Sequence, residues 1–195
     1  MKLILASSSP RRAEILRDAG IAFEIHATQI NEAELPSEAA HAMVARLAEA
    51  KARAAAAQIG ASAHDCIIVG ADTTVELDGE ILGKPRDSTH AREILAKLSG
   101  RIHHVSTGMF LLRLPGNATR AAVENSAVTF VPLSAKDIDA YVASGEPLGK
   151  AGAYAIQGLA GRYISRIEGC YFNVVGLPLA RLHALLRELG WRDDE

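Results

Sequence analysis

Arg11 and Arg12 close the stretch "LASSSPRR" (5–12), and the chemistry that such residues at such a place could serve is the binding of an anion. Pro10 suits the first position of a helix, where its missing N–H loses nothing, and Ser9 before it is a good cap. A helix start already carries partial positive charge, so two arginines there are locally unfavourable unless an anion satisfies both. A strand, a turn of small hydroxyl residues and a helix N-terminus make a cradle of hydroxyls and N–H groups. Arginine adds a bidentate fork suited to phosphate. The stretch lacks the Gly-x-x-x-x-Gly-Lys-Ser/Thr pattern of a P-loop, and an ordinary solvated helix face is the alternative for the arginine pair.

Four more residues break their local rules. Val44, Leu47, Lys51 and Ala55 fall on one helical stripe, so Lys51 is a cation on an apolar face that either snorkels to water or points into a cleft. Asp72 stands in "GADT", three residues beyond the apolar run "CIIV" (66–69) that predicts a buried strand ending at Gly70. Ligands of open α/β sheets bind beyond the carboxyl ends of strands, and a carboxylate there can hold a divalent metal or activate water; a turn or cap aspartate is the other reading. Lys84, before Pro85, and Glu32, in "INEAELP", each read alone as solvated side chains. Taken together, the cations Arg11, Arg12, Lys51 and Lys84 and the acids Glu32 and Asp72 fit a polyphosphate bound with Mg²⁺. Such a site neutralises phosphate and positions water, with little covalent work by the protein. No Ser-His-Asp or Cys-His arrangement suggests itself. His103 and His104 are neighbours in a strand pattern and point to opposite faces.

The elements that must position these residues alternate between strand and helix patterns. "LILA" (3–6) and "FEIHA" (23–27) read as strands around a helix from Ser9 to Gly20, and an alanine-rich helix runs from about Ser37 to Ile59. "TVELDGEIL" (74–82) carries Asp78-Gly79 between alternating residues, a hairpin signal. A helix from Asp87 or Ser88 to Leu98 precedes two long strand patterns, 104–114 and 122–133. Ser134 and Asp137 form a capping box for a helix to about Ser144. The glycine-rich segment 145–164 reads as a partly extended loop, and Pro178 opens a last helix with a leucine stripe from Leu179 to Leu189. The whole reads as one α/β domain, 1–195, with a mixed sheet bent into two lobes.

Composition narrows the partners. A formal net charge of −2 gives no long-range field for nucleic acid or membrane, so any anion site is local. Cys66 and Cys170 make neither a metal spacing nor a disulfide framework, and no apolar run reaches membrane length; a soluble cytoplasmic protein is expected.

The motifs "LASSSPRRAEIL", "EAKARA" (49–54), "VGADTTV", "GEILGKPRD", "KLSG" with "HHVSTG", "KAGAYAIQGLAG" and "GCYFNVVGLPL" together resemble the Maf family. These are the septum-formation-inhibitor homologues regarded as nucleoside triphosphate pyrophosphatases, and the likeness runs in consistent order along nearly the whole chain. It implies a Maf/ITPase-like α/β fold, a mixed sheet flanked by helices with two lobes around a cleft, assembled as a homodimer. It also implies hydrolysis between the α and β phosphates, to a nucleoside monophosphate and pyrophosphate, with a divalent metal (Mg²⁺ or Mn²⁺). Asp72 matches the family's catalytic acid and Glu32 an active-site acid, the pair expected to hold the metal. Ser9, Arg11, Arg12, Lys51 and Lys84 match its phosphate-handling residues. "AGAYAIQGLAG" resembles the branch acting on dTTP and UTP, in which Arg11, Thr73 and Gln157 match positions of base choice; the glutamine amide offers a donor and an acceptor to a pyrimidine edge. A 7-methyl-GTP pyrophosphatase is the second reading, and a nucleotide-sensing regulator of cell division the rival from another class. Asn31 stands where many relatives carry aspartate, so metal binding is expected to rest on Glu32 and Asp72.

Overall fold

The computed structural model describes residues 1–60 and 65–192. Its elements are β1 (Lys2–Leu5), α1 (Pro10–Asp18), β2 (Glu24–Ile25), α2 (Ala40–Ile59), β3 (Cys66–Leu77), β4 (Glu80–Leu82), α3 (Ser88–Leu98), β5 (Ile102–Leu114), β6 (Ala118–Phe130), α4 (Ala135–Ala143), β7 (Ile164–Glu168), α5 (Tyr171–Val175) and α6 (Leu179–Glu188). A seven-stranded sheet runs in the order β2-β1-β3-β5-β6-β7, with β4 paired to β3. β1 pairs in parallel with β2 and β3, and every other pairing is antiparallel, so the sheet is mixed and flanked by helices.

The long strand β3 serves two cores on one of its faces. Ile67, Val69 and Ala71 pack with α1 and α6 through Leu16, Leu182 and Leu186. Further along the same face, Val75 and Leu77 pack with α3 and α4 through Leu95, Ile138 and Tyr141. Thr73 lies between the two groups, and its partner on β5 is Thr107. The opposite face carries Ile68 against the alanines of α2, Ala48, Ala52 and Ala55. Side chains alternate across a strand, so a core that breaks and resumes at a polar step leaves a gap between two packed bodies. A cavity lined by Thr73 and Val75 opens at that step.

Several boundaries differ from the sequence reading. β3 does not end at Gly70; it runs on to Leu77, so Asp72 sits within the strand, opposite Gly108 of β5, and not beyond its end. The glycine there answers a need for space rather than for a turn. A Cβ on Gly70 would lie 2.1 Å from the Ala48 carbonyl oxygen, and one on Gly108 would lie 2.3 Å from that of Val44. Both glycines let α2 lie directly on the sheet. Ser37 has a φ of 58°, which excludes a helical start there, and Ala39 is still extended with a ψ of 147°, so α2 starts at Ala40. The segment expected as a loop, 145–164, contains 3-10 turns at Ala151–Ala153 and Leu159–Tyr163. β7 and α5, in the glycine-rich stretch beyond it, have no periodicity long enough to announce them. Among the described residues no helix is long and apolar enough to cross a membrane.

Candidate active site

The close seating of α2 on β3 decides the central contact. Gly70 and Asp72 share one face of the strand, and Ala52, whose backbone presses on Gly70, is the neighbour of Lys51 on α2. The lysine therefore descends onto the aspartate. Lys51 Nζ donates to Asp72 Oδ1 at 2.6 Å and lies 2.6 Å from Glu32 Oε1. Lys51 is 8% exposed and Asp72 9%, so the bond between them is shielded from water. Of the two readings of Lys51, the structure shows the cation aimed into a cleft. Lys84, just past β4, lies 3.5 Å from Glu32 Oε2. Partial burial works to raise the Glu32 carboxyl, but the hydrogen bond and charge of Lys51, helped by Lys84, outweigh it and hold the group below the usual carboxylate range.

The turn after β1 places the hydroxyls and the arginines. Ser9 occupies the N-cap position of α1 and Pro10 the first helical position, but the Ser9 hydroxyl makes no capping bond; its N–H donates to Ser7 Oγ at 3.2 Å. The capping role read from the sequence thus fails for the side chain. The two arginines part company, as neighbours about 100° apart on a helix must. Arg11 faces the open cavity. Arg12 turns inward, 8% exposed, and each of its three nitrogens donates to a protein oxygen: Nε to Gly176 O at 2.8 Å, Nη1 to Ser7 Oγ at 3.0 Å and Nη2 to Thr73 Oγ1 at 2.9 Å. Burial pushes the Arg12 guanidinium below its ordinary value, against the opposing charges of Asp72 and Glu32. Thr73 Oγ1 lies 2.9 Å from Thr107 Oγ1, which itself donates to Asn173 O, so α5 is tied to the same cluster.

These groups line one cavity of about 330 Å³, and all nine residues singled out from the sequence lie on its wall: Ser9, Arg11, Arg12, Glu32, Lys51, Asp72, Thr73, Lys84 and Gln157. Lys150 and Tyr154 belong to the same wall and were not singled out. Burial and the nearby charge of Arg11 push the Lys150 ammonium below its ordinary value, while Glu146 works the other way. A lysine beside glycines in a loop without periodicity carries no signal of its own; only its place in "KAGAYAIQGLAG" pointed to it. His103 and His104 take opposite faces as expected, the first buried with Nε2 2.8 Å from the Tyr154 hydroxyl, the second exposed. Among the described residues, no three His, Cys, Asp or Glu side chains gather as a metal-ligand set.

A family model described as Maf-like protein matches residues 2–189. The chain belongs to the Maf family. Curated relatives bear the name dTTP/UTP pyrophosphatase: one from Anaeromyxobacter sp. (strain Fw109-5) is 47% identical over 97% of this chain and 90% of its own length. Another from Escherichia coli O157:H7 is 50% identical over 94% of this chain and 91% of its own. A third, from Carboxydothermus hydrogenoformans, is 45% identical over 98% of this chain and all of its own length. A solved nucleoside-triphosphatase (dITP/XTP pyrophosphatase) from Mycobacterium abscessus aligns over 98% of each chain at 14% identity with a TM-score of 0.41.

Proposed function

We propose that this Maf protein hydrolyses dTTP and UTP at the bond between the α and β phosphates, giving a nucleoside monophosphate and pyrophosphate. The observation that carries the reading is the meeting of Asp72, Lys51 and Glu32 inside a cavity also lined by Arg11, Lys84 and Lys150, in a chain whose relatives bear that name. Cations on the wall take the oxygens of the triphosphate, and the acids sit where a nucleophile must be handled.

In this reading Lys51 holds one oxygen of Asp72, which fixes the carboxylate, and the second oxygen accepts the proton of the water that attacks the α phosphorus. Arg11 and Lys84 bind phosphate oxygens, and the Ser9 hydroxyl with the start of α1 completes the cradle. Arg12, whose three nitrogens already donate to Gly176, Ser7 and Thr73, shapes that cradle more than it binds phosphate. Gln157 and Thr73 meet the base.

Lys51 takes one oxygen from each of Glu32 and Asp72, and the carboxylate oxygens that remain on the cavity wall are hard donors suited to a divalent ion, whose shell substrate phosphate and water would complete. Glu32 and Asp72 would hold Mg²⁺ or Mn²⁺, whose charge would offset that developing on the pyrophosphate leaving group. We place the protein in the cytoplasm, where its free cysteines suit a reducing compartment, acting on a small molecule rather than a nucleic acid, in keeping with its net charge of −2; the homodimer is carried over from the resemblance to the family alone. The experiment is a panel of dTTP, UTP, CTP, 7-methyl-GTP and ITP with added metal, each scored for pyrophosphate and nucleoside monophosphate. Equal yields of both products from dTTP and UTP are expected. Nucleoside diphosphate with orthophosphate, or binding without product, would overturn the assignment.

A further inference from the structure

Glu146 lies outside the cavity wall, yet its carboxylate gathers the chain on both sides of Gln157. The Glu146 carboxylate accepts the Leu159 N–H at 2.9 Å through Oε2 and the Ala160 N–H at 3.4 Å through Oε1. Oε1 also accepts the Tyr141 hydroxyl at 2.8 Å, and the Tyr141 oxygen in turn accepts the Ala155 N–H at 3.3 Å. Residues 155 and 159 are thus fixed from one point, with Gln157 midway between them. The Glu146 backbone oxygen accepts the ammonium of Lys150, so a second residue of the wall is held by the same hub. Gly158, next to Gln157, has its backbone against the carboxylate, and a Cβ there would stand 2.6 Å from Oε2 and 2.7 Å from Oε1.

Exposed loop residues lose affinity to the disorder of their own backbone unless something orders them in advance. Gln157 is exposed, and it lies within a stretch with three glycines in ten residues, 149–158. A single acceptor shared by two loop N–H groups and a buried tyrosine removes that freedom.

We propose that Glu146 is a positioning residue for base recognition: it presets the Gln157 loop so that the amide meets the pyrimidine edge. The inference rests on the pyrophosphatase reading and on Gln157 as the reader of the base. Glu146 touches neither phosphate nor the Asp72–Lys51–Glu32 cluster, so its removal acts on KM and on the choice among bases and leaves the chemical step alone.

The test is a double-mutant cycle between Glu146→Ala and Gln157→Ala, read as pyrophosphate release from UTP and CTP. Each single variant is expected to raise KM for UTP about tenfold and to narrow the UTP-over-CTP preference, with kcat for Glu146→Ala within about threefold of wild type. The double variant is expected to match either single one, about tenfold rather than about a hundredfold, because the amide gains nothing once its loop is loose. Glu146→Gln, which keeps one carbonyl acceptor, should fall between, and Gly158→Ala should mimic Glu146→Ala by driving the carboxylate out. These two carry the test if Glu146→Ala does not fold, as judged by thermal melting. Additive losses in the double variant, or an unchanged KM in Glu146→Gln and Gly158→Ala, overturn the positioning role while the pyrophosphatase reading stands. A wild-type protein that releases no pyrophosphate from UTP overturns both.

Discussion

Replacing Lys51 with methionine removes the ammonium that Asp72 and Glu32 share while keeping the stem on the apolar stripe of α2. The two carboxylates are not stranded equally. Glu32 keeps Lys84 at 3.5 Å and has a side chain 43% exposed, so water takes over much of what Lys51 supplied. Asp72 is buried and retains the more distant charge of Arg12. Removing one partner of a buried pair costs about 3–5 kcal/mol, and the help from Arg12 puts this site at the low end, about 3 kcal/mol. In a protein of this size each kcal/mol lowers the melting temperature by about 2–4 °C, so a fall of about 6–12 °C is expected. Adding Asp72→Asn removes the stranded charge, and the double variant should return to within about 1 kcal/mol of Asp72→Asn alone. Thermal melts and urea titrations at pH 7.5, without nucleotide, measure all four proteins. A Lys51→Met protein that melts within about 1 °C of wild type would refute the reasoning. So would a double variant that carries the full sum of the single losses.

Three further outcomes are expected. Asp72→Asn should fold, since Lys51 keeps Glu32, yet release pyrophosphate at least about a hundredfold more slowly; near-normal turnover removes Asp72 from proton transfer. Gly70→Ala places a Cβ 2.1 Å from the Ala48 oxygen, so α2 must lift and carry Lys51 with it; about 3 kcal/mol of stability and most activity should go together, and a fully active variant would show that the close seating does not set the site. His103 is held neutral by burial, its pKa lowered from 6.5 to about 4. With the folded-state value depressed, its contribution, up to about 3 kcal/mol, is present above pH 6.5 and lost as pH falls towards 4. Urea unfolding from pH 7.5 to 4 should show a flatter acid slope for His103→Gln, and parallel slopes would contradict the assignment.

How far the sequence spoke depended on whether an interaction was local. The stripe of Val44, Leu47, Lys51 and Ala55 was legible because a helix repeats its faces within a few residues, and it put Lys51 on the correct side. The capping box of Ser134 and Asp137 was legible for the same reason and is present with both bonds. Gly70 misled, because a glycine that ends a strand and one that admits a helix backbone look alike until the helix is in place. Arg12's bracing bonds were not legible: its partners Thr73 and Gly176 are 61 and 164 residues distant, and nothing near it in sequence announces them. Lys150 and Glu146 lie in a glycine-rich segment with no period to read, where only hydrogen bonding assigns a place.

The bond from Arg12 to Gly176 has a consequence for when the site can exist during synthesis. Its two ends are 164 residues apart, so at about 5–20 residues per second roughly ten to thirty seconds separate the appearance of one from that of the other. Over that interval β1, α1, α2 and β3 can assemble from local and nearby contacts, but Thr73 and Ser7 face a guanidinium with one partner missing. Closing so long a loop comes late in folding, because its entropy must be met before the contact contributes. The brace, and the part of the cavity wall that Gly176 supplies, are therefore completed only in a chain grown past Gly176.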